Sequence, residues 1–289
     1  MITAIIRGGL GNQLFQYAAA YSLARRLNQE LMLDITFFPK QTLRGYKLDK
    51  LQLDSHLISV GENDDMFTKV YKNKYVNGVI RRSGLKTLPI ARGRYLIDKA
   101  GSFTPEYFDI QAENILLNGY FQSEEYFINF RDAILRQFQP VYKRDAEYLE
   151  TEMMINNTNS VAIHVRRGDF VNKDGSAFHY ILGINYYLNA IAYLRDIIDR
   201  PVFFIFSDDI NWVKNYFPKD ISVHFVSLSS KNADIDEMML MKTCKHMISA
   251  NSTFSWWASW MNVNENAIHI APQKQYGNEK MIPEKWILL

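Results

Sequence analysis

The sequence lacks three features that would restrict its class at once: a set of cysteines, a long apolar run and a large net charge. Cys244 is the only cysteine in 289 residues, which excludes an intrachain disulfide framework and indicates a reducing compartment. No segment approaches the roughly 18 to 20 consecutive apolar residues of a membrane-spanning helix, and the first residues predict a strand, not a signal peptide. A net charge of +2 argues against a nucleic-acid partner. We therefore expect a soluble, cytoplasmic protein.

The chain does show a regular alternation of strand and helix patterns. Residues 3–6 predict a strand, residues 8–12 a glycine loop, residues 13–27 a helix and residues 31–35 a strand. Together they predict a βαβ unit and a parallel sheet. Residues 36–101 are basic, polar and weakly periodic; no element is assigned to them, but we expect helices and loops that decorate the first domain. The later elements of the first half are a strand at residues 115–121 and an amphipathic helix at residues 124–138.

The second half repeats this alternation more clearly. The predicted strands are residues 161–165, 202–206, 223–226, 247–250 and 267–271, and the predicted helices are residues 185–198, 212–217, 236–245 and 254–261. A polar break at residues 156–159 sets the predicted boundary between domains of residues 1–156 and 157–289. We expect an α/β fold with two doubly wound domains facing each other across a cleft.

Two adjacent arginines follow the predicted strand at residues 161–165. In the run His-Val-Arg-Arg-Gly-Asp, the alternation along a strand places His164 and Arg166 on one face, and Arg167 lies just past the strand end. The planar fork of arginine matches phosphate oxygens, and open α/β sheets bind ligands at strand carboxyl ends. The pattern indicates a site for a phosphorylated ligand. The alternative is that both arginines are surface charges, one of them paired with Asp169.

Two further polar clusters follow predicted strands, at residues 207–209 and 251–255. Since the carboxyl ends of parallel strands lie along one edge, we expect the three clusters to converge. Ser252 or Thr253 can cap the next helix, which leaves backbone N–H groups and the positive end of the helix dipole for a phosphate. The alternative is an ordinary capped helix. Ser255 is a candidate ligand contact, whereas the tryptophans beside it are expected to fill the core.

Two pairs of acidic residues have more than one interpretation. Asp208 and Asp209 can accept the N–H edge of a guanine or hold a divalent metal. The metal interpretation also applies to Asp234 with Asp236. Asp234 followed by Glu237 resembles a capping box before an apolar helix. We expect no metal site at either pair.

The glycine loop near the N-terminus is a weaker signal. Residues 8–13, Gly-Gly-Leu-Gly-Asn-Gln, resemble a dinucleotide-binding loop without matching G-x-G-x-x-G, and only Asp34 follows at a spacing suited to a ribose. The loop is still expected to bring backbone amides and Asn12 to the cleft edge of the first domain.

Four blocks in this order resemble the bacterial α-1,2-fucosyltransferases of glycosyltransferase family 11. They are residues 8–18, 164–169, 207–209 and 251–257. The resemblance implies a GT-B-like fold with two Rossmann-type domains, and an inverting, metal-independent transfer of fucose from GDP-fucose with no cofactor. The implied acceptor is a terminal β-galactoside of an oligosaccharide or polysaccharide repeat unit, fucosylated at its 2-OH. Peripheral contact with the inner face of the cell membrane fits this role.

The resemblance also implies roles for individual residues. Arg166 matches the arginine that binds the β-phosphate, and His164 and Asp208 match residues that contact guanosine. Asn12 matches a residue that lies near the reacting sugar in protein fucosyltransferases. The implied donor-binding residues are His164, Arg166, Arg167, Asp208, Ser252, Thr253, Ser255 and Gly11.

Two residues are candidates for the catalytic base that takes the acceptor proton. Core α-1,6-fucosyltransferases share the arginine block and carry an acid a few residues beyond it, where this chain has Asp174. The family then has His-Gly-x-Cys before a Tyr-Tyr helix. Here His179 matches, but its neighbours in residues 180–182 differ. Two other functions stay open: a transferase for another nucleotide sugar, with a metal at the second acidic pair, or a catalytically silent nucleotide- or glycan-binding protein.

Overall fold

The computed structural model describes residues 1–40, 45–54, 58–61, 75, 78, 82, 85–90, 93–98, 103–167, 181–273 and 281–289. The chain divides into two compact units, Met1–Val141 and Tyr142–Leu289. Both contain a largely parallel sheet with helices, which confirms the predicted α/β class.

The first unit is built on a six-stranded sheet with the strand order β3-β2-β1-β6-β5-β4. Its elements are β1 (Ile2–Ile5), α1 (Leu10–Leu27), β2 (Leu31–Asp34), β3 (Ile58–Gly61), β4 (Thr87–Ile90), β5 (Gly93–Ile97), β6 (Asn114–Asn118) and α2 (Arg131–Gln137). All neighbouring strands are parallel except β4 and β5, which form an antiparallel pair at the sheet edge.

Helix α1 begins earlier than the sequence predicts. The backbone N–H groups of Asn12 and Gln13 both donate to the carbonyl of Gly9, at 3.0 and 3.1 Å, so the glycine loop is reduced to Gly8 and Gly9. Gly8 has φ +81°, a left-handed conformation that favours glycine. Gly11 therefore lies in the first helical turn, not in a loop.

The second unit is built on a fully parallel sheet with the strand order β12-β11-β10-β7-β8-β9. Its elements are α3 (Ala146–Asn156), β7 (Asn159–Val165), α4 (Ile184–Ile197), β8 (Pro201–Ser207), α5 (Ile210–Tyr216), β9 (Val223–Val226), α6 (Ala233–Thr243), β10 (His246–Ile248), α7 (Thr253–Met261), β11 (His269–Ala271) and β12 (Ile287–Leu288). Every element predicted in this half is present, within a few residues of its expected bounds.

The apolar residues of the strands form the core of the second unit. Val161, Ile163 and Val165 of β7 pack with Leu194 of α4 and Val213 of α5 in one buried cluster. Each such side chain stabilises the fold by roughly 1.5–3 kcal/mol through burial. All five tryptophans of the chain lie in this unit, and the three on α7 are buried, as predicted for core residues. Cys244 is also buried.

The structure divides the chain before α3, whereas the sequence predicts the boundary after it, at residue 156. Helix α3 packs against β7 and α6, and Asp145 caps it by accepting a hydrogen bond from the backbone N–H of Tyr148 at 2.9 Å. The helix therefore belongs to the second unit. Among the helices that the structure describes, none has the length and apolarity needed to cross a membrane.

Candidate active site

The three polar clusters of the second unit lie on adjacent strands, as predicted. Strand β7 pairs with β8 on one side and β10 on the other, with Val165 opposite Ser207 and Ile163 opposite Ile248. All three strands run in the same direction, so their carboxyl ends share one edge. This edge of the second sheet is the candidate site.

Arg166 and Asp208 form an ion pair across this edge. The guanidinium Nη1 of Arg166 lies 2.9 Å from Oδ2 of Asp208, with side chains 24% and 25% exposed. The other oxygen of Asp208 accepts a hydrogen bond from the backbone N–H of Arg167 at 2.8 Å. Both carboxylate oxygens are thus engaged with the arginine segment, and contact of Asp208 with a guanine stays a prediction.

Arg167 is held by two groups at the start of α5. Its Nε lies 3.4 Å from Oδ2 of Asp209, and its guanidinium carbon lies 4.0 Å from the ring centroid of Trp212. Asp209 also caps α5, because its Oδ1 accepts a hydrogen bond from the backbone N–H of Trp212 at 3.1 Å. One short segment thus fixes the second arginine, and a paired, stacked guanidinium is preorganised for an anion.

The side chain of His164 is buried rather than exposed to solvent. It is 5% exposed, and its ring centroid lies 5.4 Å from that of Phe254 in the first turn of α7. Burial, and secondarily the charge of Arg166, lowers its pKa to about 3, so the imidazole is neutral at pH 7. Its Nδ1 is buried and has no hydrogen-bond partner within the described ranges.

The N-terminus of α7 supplies the third side of the candidate site. Ser252 caps the helix, with its Oγ 3.3 Å from the backbone nitrogen of Phe254, and Thr253 is the first helical residue. Ser255 is fully buried, and its hydroxyl lies 3.2 Å from the carbonyl oxygens of Ala250 and Ser252. The hydroxyl of Ser255 thus holds the turn, and ligand contact by Ser252, Thr253 or Ser255 stays a prediction.

The second acidic pair, Asp234 and Asp236, matches neither a metal site nor a capping box. Asp236 is 2% exposed and accepts hydrogen bonds from Tyr142 and Ser230, both at 2.9 Å, beside the guanidinium of Arg144 at 3.0 Å. The carboxylate is thus already neutralised by protein groups. Within the described ranges, no three His, Cys, Asp or Glu side chains cluster in a way suited to a metal ion.

The predicted capping box at Asp234 and Glu237 is wrong. Helix α6 begins at Ala233, after Asn232, and Glu237 accepts a hydrogen bond from the backbone N–H of Leu228 at 3.3 Å. Its carboxyl therefore fixes the loop after β9 instead of the helix start. Burial and the neighbouring carboxylates raise the pKa of Glu237 to about 7.

In the first unit, the side-chain amides of the N-terminal block bind backbone and side-chain groups. Asn12 accepts a hydrogen bond from the side chain of Gln122 at 3.0 Å. Gln13 donates to the carbonyls of Gly8 and Gly45, both at 2.9 Å, and accepts from the backbone N–H of Lys47 at 3.0 Å. The block thus stabilises its own loop and presents Asn12 beside Gln122.

Three polar residues that the sequence analysis missed lie at the carboxyl edge of the first sheet. Arg7 follows β1, Asp98 follows β5 and Tyr120 follows β6 by two residues. The signal was available for Arg7, since it comes directly after the first apolar strand. Tyr120 lies at the end of the strand predicted at residues 115–121, but Asp98 could not be placed, because no strand was predicted at β5.

Three residues named from the sequence lie outside the described residues: Asp169, Asp174 and His179. The predicted roles of Asp174 and His179 as catalytic base therefore stay predictions, as does the alternative pairing of Asp169.

Comparison with known proteins identifies relatives across the whole chain. The model of the family described as glycosyl transferase family 11 matches residues 102–288. An α-1,2-colitosyltransferase of Escherichia coli is 32% identical, covering 99% of this chain and 98% of its own. The O-antigen biosynthesis glycosyltransferase WbnK of Escherichia coli is also 32% identical, covering 98% and 99%. A galactoside 2-α-L-fucosyltransferase of Caenorhabditis elegans is 26% identical, covering 93% and 71%.

The fold also resembles a solved structure at low sequence identity. The fucosyltransferase NodZ from Bradyrhizobium superposes with a TM-score of 0.51 at 14% identity, covering 89% of this chain and 90% of its own. NodZ has also been solved with GDP, with the same TM-score. This likeness concerns the fold alone.

Proposed function

The chain belongs to glycosyltransferase family 11, and we propose that it transfers L-fucose from GDP-fucose to the 2-OH of a terminal β-galactoside. The transfer inverts the anomeric carbon of fucose and needs neither metal nor cofactor. The proposal includes a GT-B-like fold with two Rossmann-type units, and action in the cytoplasm at the inner face of the cell membrane. The acceptor is the end of an oligosaccharide or of a polysaccharide repeat unit.

One observation carries this proposal: two arginines are fixed by aspartates at a strand edge that also holds a helix N-terminus. Arg166 pairs with Asp208, and Arg167 pairs with Asp209 above Trp212. The pairs hold both forks in place before a ligand arrives, and the first turn of α7 adds backbone N–H groups. A diphosphate is the ligand that this combination suits best.

The chemistry of the transfer explains why such a site is needed. The bond between the anomeric carbon of fucose and the β-phosphate oxygen breaks, and its electrons leave with GDP. Positive charge therefore develops on the sugar and negative charge on the diphosphate. Preorganised donors stabilise the departing charge most when they are in place beforehand. Arg166, with Arg167 and the N-terminus of α7, is proposed to do this without a metal.

His164 fits a role in binding the nucleoside. Its imidazole is neutral, so one nitrogen donates and the other accepts, and its unpartnered Nδ1 lies in the buried interior beside Phe254. A neutral ring offers a purine edge a hydrogen bond without adding positive charge. We propose that His164 contacts guanosine in this way.

The acceptor hydroxyl attacks the anomeric carbon from the side opposite GDP and must lose its proton. Asp174 and His179 are the proposed candidates for the base, and Asn12 is proposed to lie near the reacting sugar. Gly11 is proposed to contact the donor through its backbone.

The test is to incubate the purified chain with GDP-fucose and lactose, with and without EDTA, and to follow products by mass spectrometry. A fucosylated trisaccharide in equal amount with EDTA, sensitive to an α-1,2-specific fucosidase, would support donor, linkage and metal independence together. The Arg166→Ala variant is the matched negative control.

Each other result has a defined meaning. Slow hydrolysis of GDP-fucose without transfer would support the donor and overturn the acceptor. Intact GDP-fucose, with GDP bound tightly, would favour a binding protein without turnover. Loss of product with EDTA would overturn metal independence.

A second donor is favoured by one specific relative. The colitosyltransferase of Escherichia coli is 32% identical over nearly the whole chain, so nucleotide-activated colitose is the second candidate. Offering both donors to the enzyme in competition distinguishes them, because the two sugars give products of different mass.

A further inference from the structure

The carboxyl edge of the first sheet carries a polar cluster that the donor chemistry leaves unused. We define the Arg7 cluster as Arg7, Asp98, Asn118 and Tyr120. Strands β1, β5 and β6 are parallel neighbours, with Ala4 opposite Leu117 and Ile97 opposite Asn118, so these residues come from three adjacent strand ends. Arg7, Asp98 and the segment of Asn118 and Tyr120 are distant from one another in sequence and are brought together by the sheet.

Hydrogen bonds position the backbone around Arg7, and its side chain has an unused donor. Its backbone N–H donates to Oε1 of Gln16 at 2.9 Å, and Nε2 of Gln16 donates to the carbonyl of Gly119 at 3.1 Å. The guanidinium carbon lies 5.2 Å from the ring centroid of Tyr120. In the part of the chain that the structure describes, Nε of Arg7 is buried without a hydrogen-bond partner. A guanidinium with an unused donor is suited to a ligand.

Asp98 is held equally firmly. Its Oδ2 accepts hydrogen bonds from the backbone N–H groups of Tyr120 and Phe121, at 3.1 and 2.7 Å. A Cβ at Gly119 would lie 2.2 Å from the Cβ of Asp98, so only glycine lets the chain pass this close to Asp98. Phe121 has φ +52°, a conformation that is rare for a bulky residue and is found at functional sites.

Asn118 adds an acceptor to the cluster. Its amide nitrogen donates to the hydroxyl of Tyr95, while its Oδ1 is buried and has no partner in the described ranges. Buried polar atoms without partners are rare in folded proteins. The cluster therefore holds an unused donor on Arg7 and an unused acceptor on Asn118.

We propose that the Arg7 cluster binds a neutral pyranose, the β-galactoside acceptor of the transfer. A sugar offers adjacent hydroxyls that both donate and accept, so it needs donors and acceptors together. The guanidinium fork of Arg7 donates to two oxygens at once, and Asp98 with Asn118 accepts from hydroxyl hydrogens. The carboxylate of Asp98 would repel a phosphate, which separates this cluster from the donor site. The inference rests on the proposed function for the identity of its ligand.

The test measures binding of the two substrates separately in the full chain. Binding of methyl β-D-galactopyranoside is followed by saturation-transfer NMR, and binding of GDP by calorimetry. The variants are Arg7→Ala, Arg7→Lys and Asp98→Asn. Asp98→Asn keeps an oxygen for the backbone N–H groups of residues 120 and 121, so it tests the charge without removing the loop contacts.

Arg26→Ala is the matched control. Arg26 also lies over an aromatic ring of the first unit, 4.1 Å from the centroid of Phe108, but at the C-terminal end of α1. The Arg26→Ala variant therefore removes an arginine and a ring contact of the same kind at the C-terminal end of α1, away from the Arg7 cluster.

We expect Arg7→Ala to weaken galactoside binding by about tenfold or more, Arg7→Lys and Asp98→Asn by roughly three- to tenfold, and GDP binding to change less than about twofold. Arg26→Ala should bind both as wild type does. Unchanged galactoside binding in Arg7→Ala and Asp98→Asn would overturn the inference, as would a wild-type chain that binds GDP but no galactoside. Galactoside binding that depends on Arg7 in a chain that fails to bind GDP would support the cluster and overturn the proposed donor.

Discussion

Asp208 binds two adjacent arginines at once, through Oδ2 to the guanidinium of Arg166 and through Oδ1 to the backbone N–H of Arg167. The carboxylate comes from the end of β8 and the arginines from the end of β7. A single side chain therefore fixes the spacing of two neighbouring strand ends and the direction of one guanidinium. Asp208 and Arg166 should therefore be tested together, as a coupled pair.

Replacing Arg166 by alanine should nearly abolish turnover without unfolding the chain. Loss of one preorganised donor to a departing charge typically costs ~3 kcal/mol, or on the order of a hundredfold in rate. The rate of fucose transfer at saturating donor measures this. Arg195→Ala is the control, because Arg195 also pairs with an aspartate, Asp220 at 3.3 Å, on the exposed surface of the same unit. Substantial residual activity in Arg166→Ala would contradict its proposed role.

Removing the ring under Arg167 should weaken donor binding more than it slows the chemical step. Trp212→Leu deletes the stacking contact but leaves Asp209 in place, and such a contact is worth about 1 kcal/mol when partly exposed. We expect the dissociation constant of GDP to rise roughly fivefold. Tyr216→Leu, which removes the next ring along α5, should have little effect. Equal affinities for Trp212→Leu and wild type would show that the stack does not support the arginine.

Gly119→Ala should destabilise the first unit. The added Cβ would lie 2.2 Å from the Cβ of Asp98 and 2.9 Å from its Cα and its carbonyl oxygen. Since two of these atoms are backbone, the contact cannot be relieved by a rotamer change, and we expect a loss of about 3 kcal/mol of unfolding free energy. Gly45→Ala, where a Cβ meets nothing within 4 Å, is the control. Urea titration of the two variants gives the comparison, and equal stabilities would refute the clash.

Two buried groups should make the stability of the second unit depend on pH in opposite directions. His164 has a pKa lowered from 6.5 to about 3, chiefly by burial. As the pH falls below 6.5, the unfolded chain binds a proton that the folded chain does not, so stability is lost. Glu237 has a pKa raised from 4.5 to about 7, also chiefly by burial. As the pH rises above 4.5, the folded chain keeps a proton that the unfolded chain releases, so stability is again lost.

Between about pH 4.5 and 6.5 the two contributions should nearly cancel, since each has a slope of about 1.4 kcal/mol per pH unit of opposite sign. Glu237→Gln should therefore make stability rise with pH across this interval, and His164→Gln should make it fall. Unfolding free energies from urea at three pH values check both slopes. Parallel profiles for wild type and both variants would show that neither group is shifted as described.

The second unit could be predicted because its strands are short apolar runs between helices with apolar faces. Helix α3 was not predicted, because Leu149 and Met153 are exposed and blur the pattern of its buried face. The start of α6 was missed for a related reason. Glu237 has the spacing of a capping residue, but it bonds to Leu228 in a loop that sequence spacing cannot reveal.

The first unit was less predictable because its edge strands lack a marked pattern. Strand β4 contains Pro89 and pairs antiparallel with β5, so neither shows the long apolar run of a central parallel strand. Without β5, Asp98 could not be placed beside Arg7. The candidate site of the second unit was predicted from one rule, that parallel strands end together. The same rule would have found the Arg7 cluster had β5 been assigned.

Because every tryptophan lies in the second unit, intrinsic fluorescence can distinguish the two units. Selective excitation of tryptophan would follow the unfolding of that unit alone, while tyrosine emission would add the first. Trp212, directly beneath Arg167, differs from the other four because its ring lies at the candidate site, so quenching of its emission should accompany nucleotide binding. Replacing Trp212 alone would therefore separate a signal for occupancy from a signal for folding within the same spectrum.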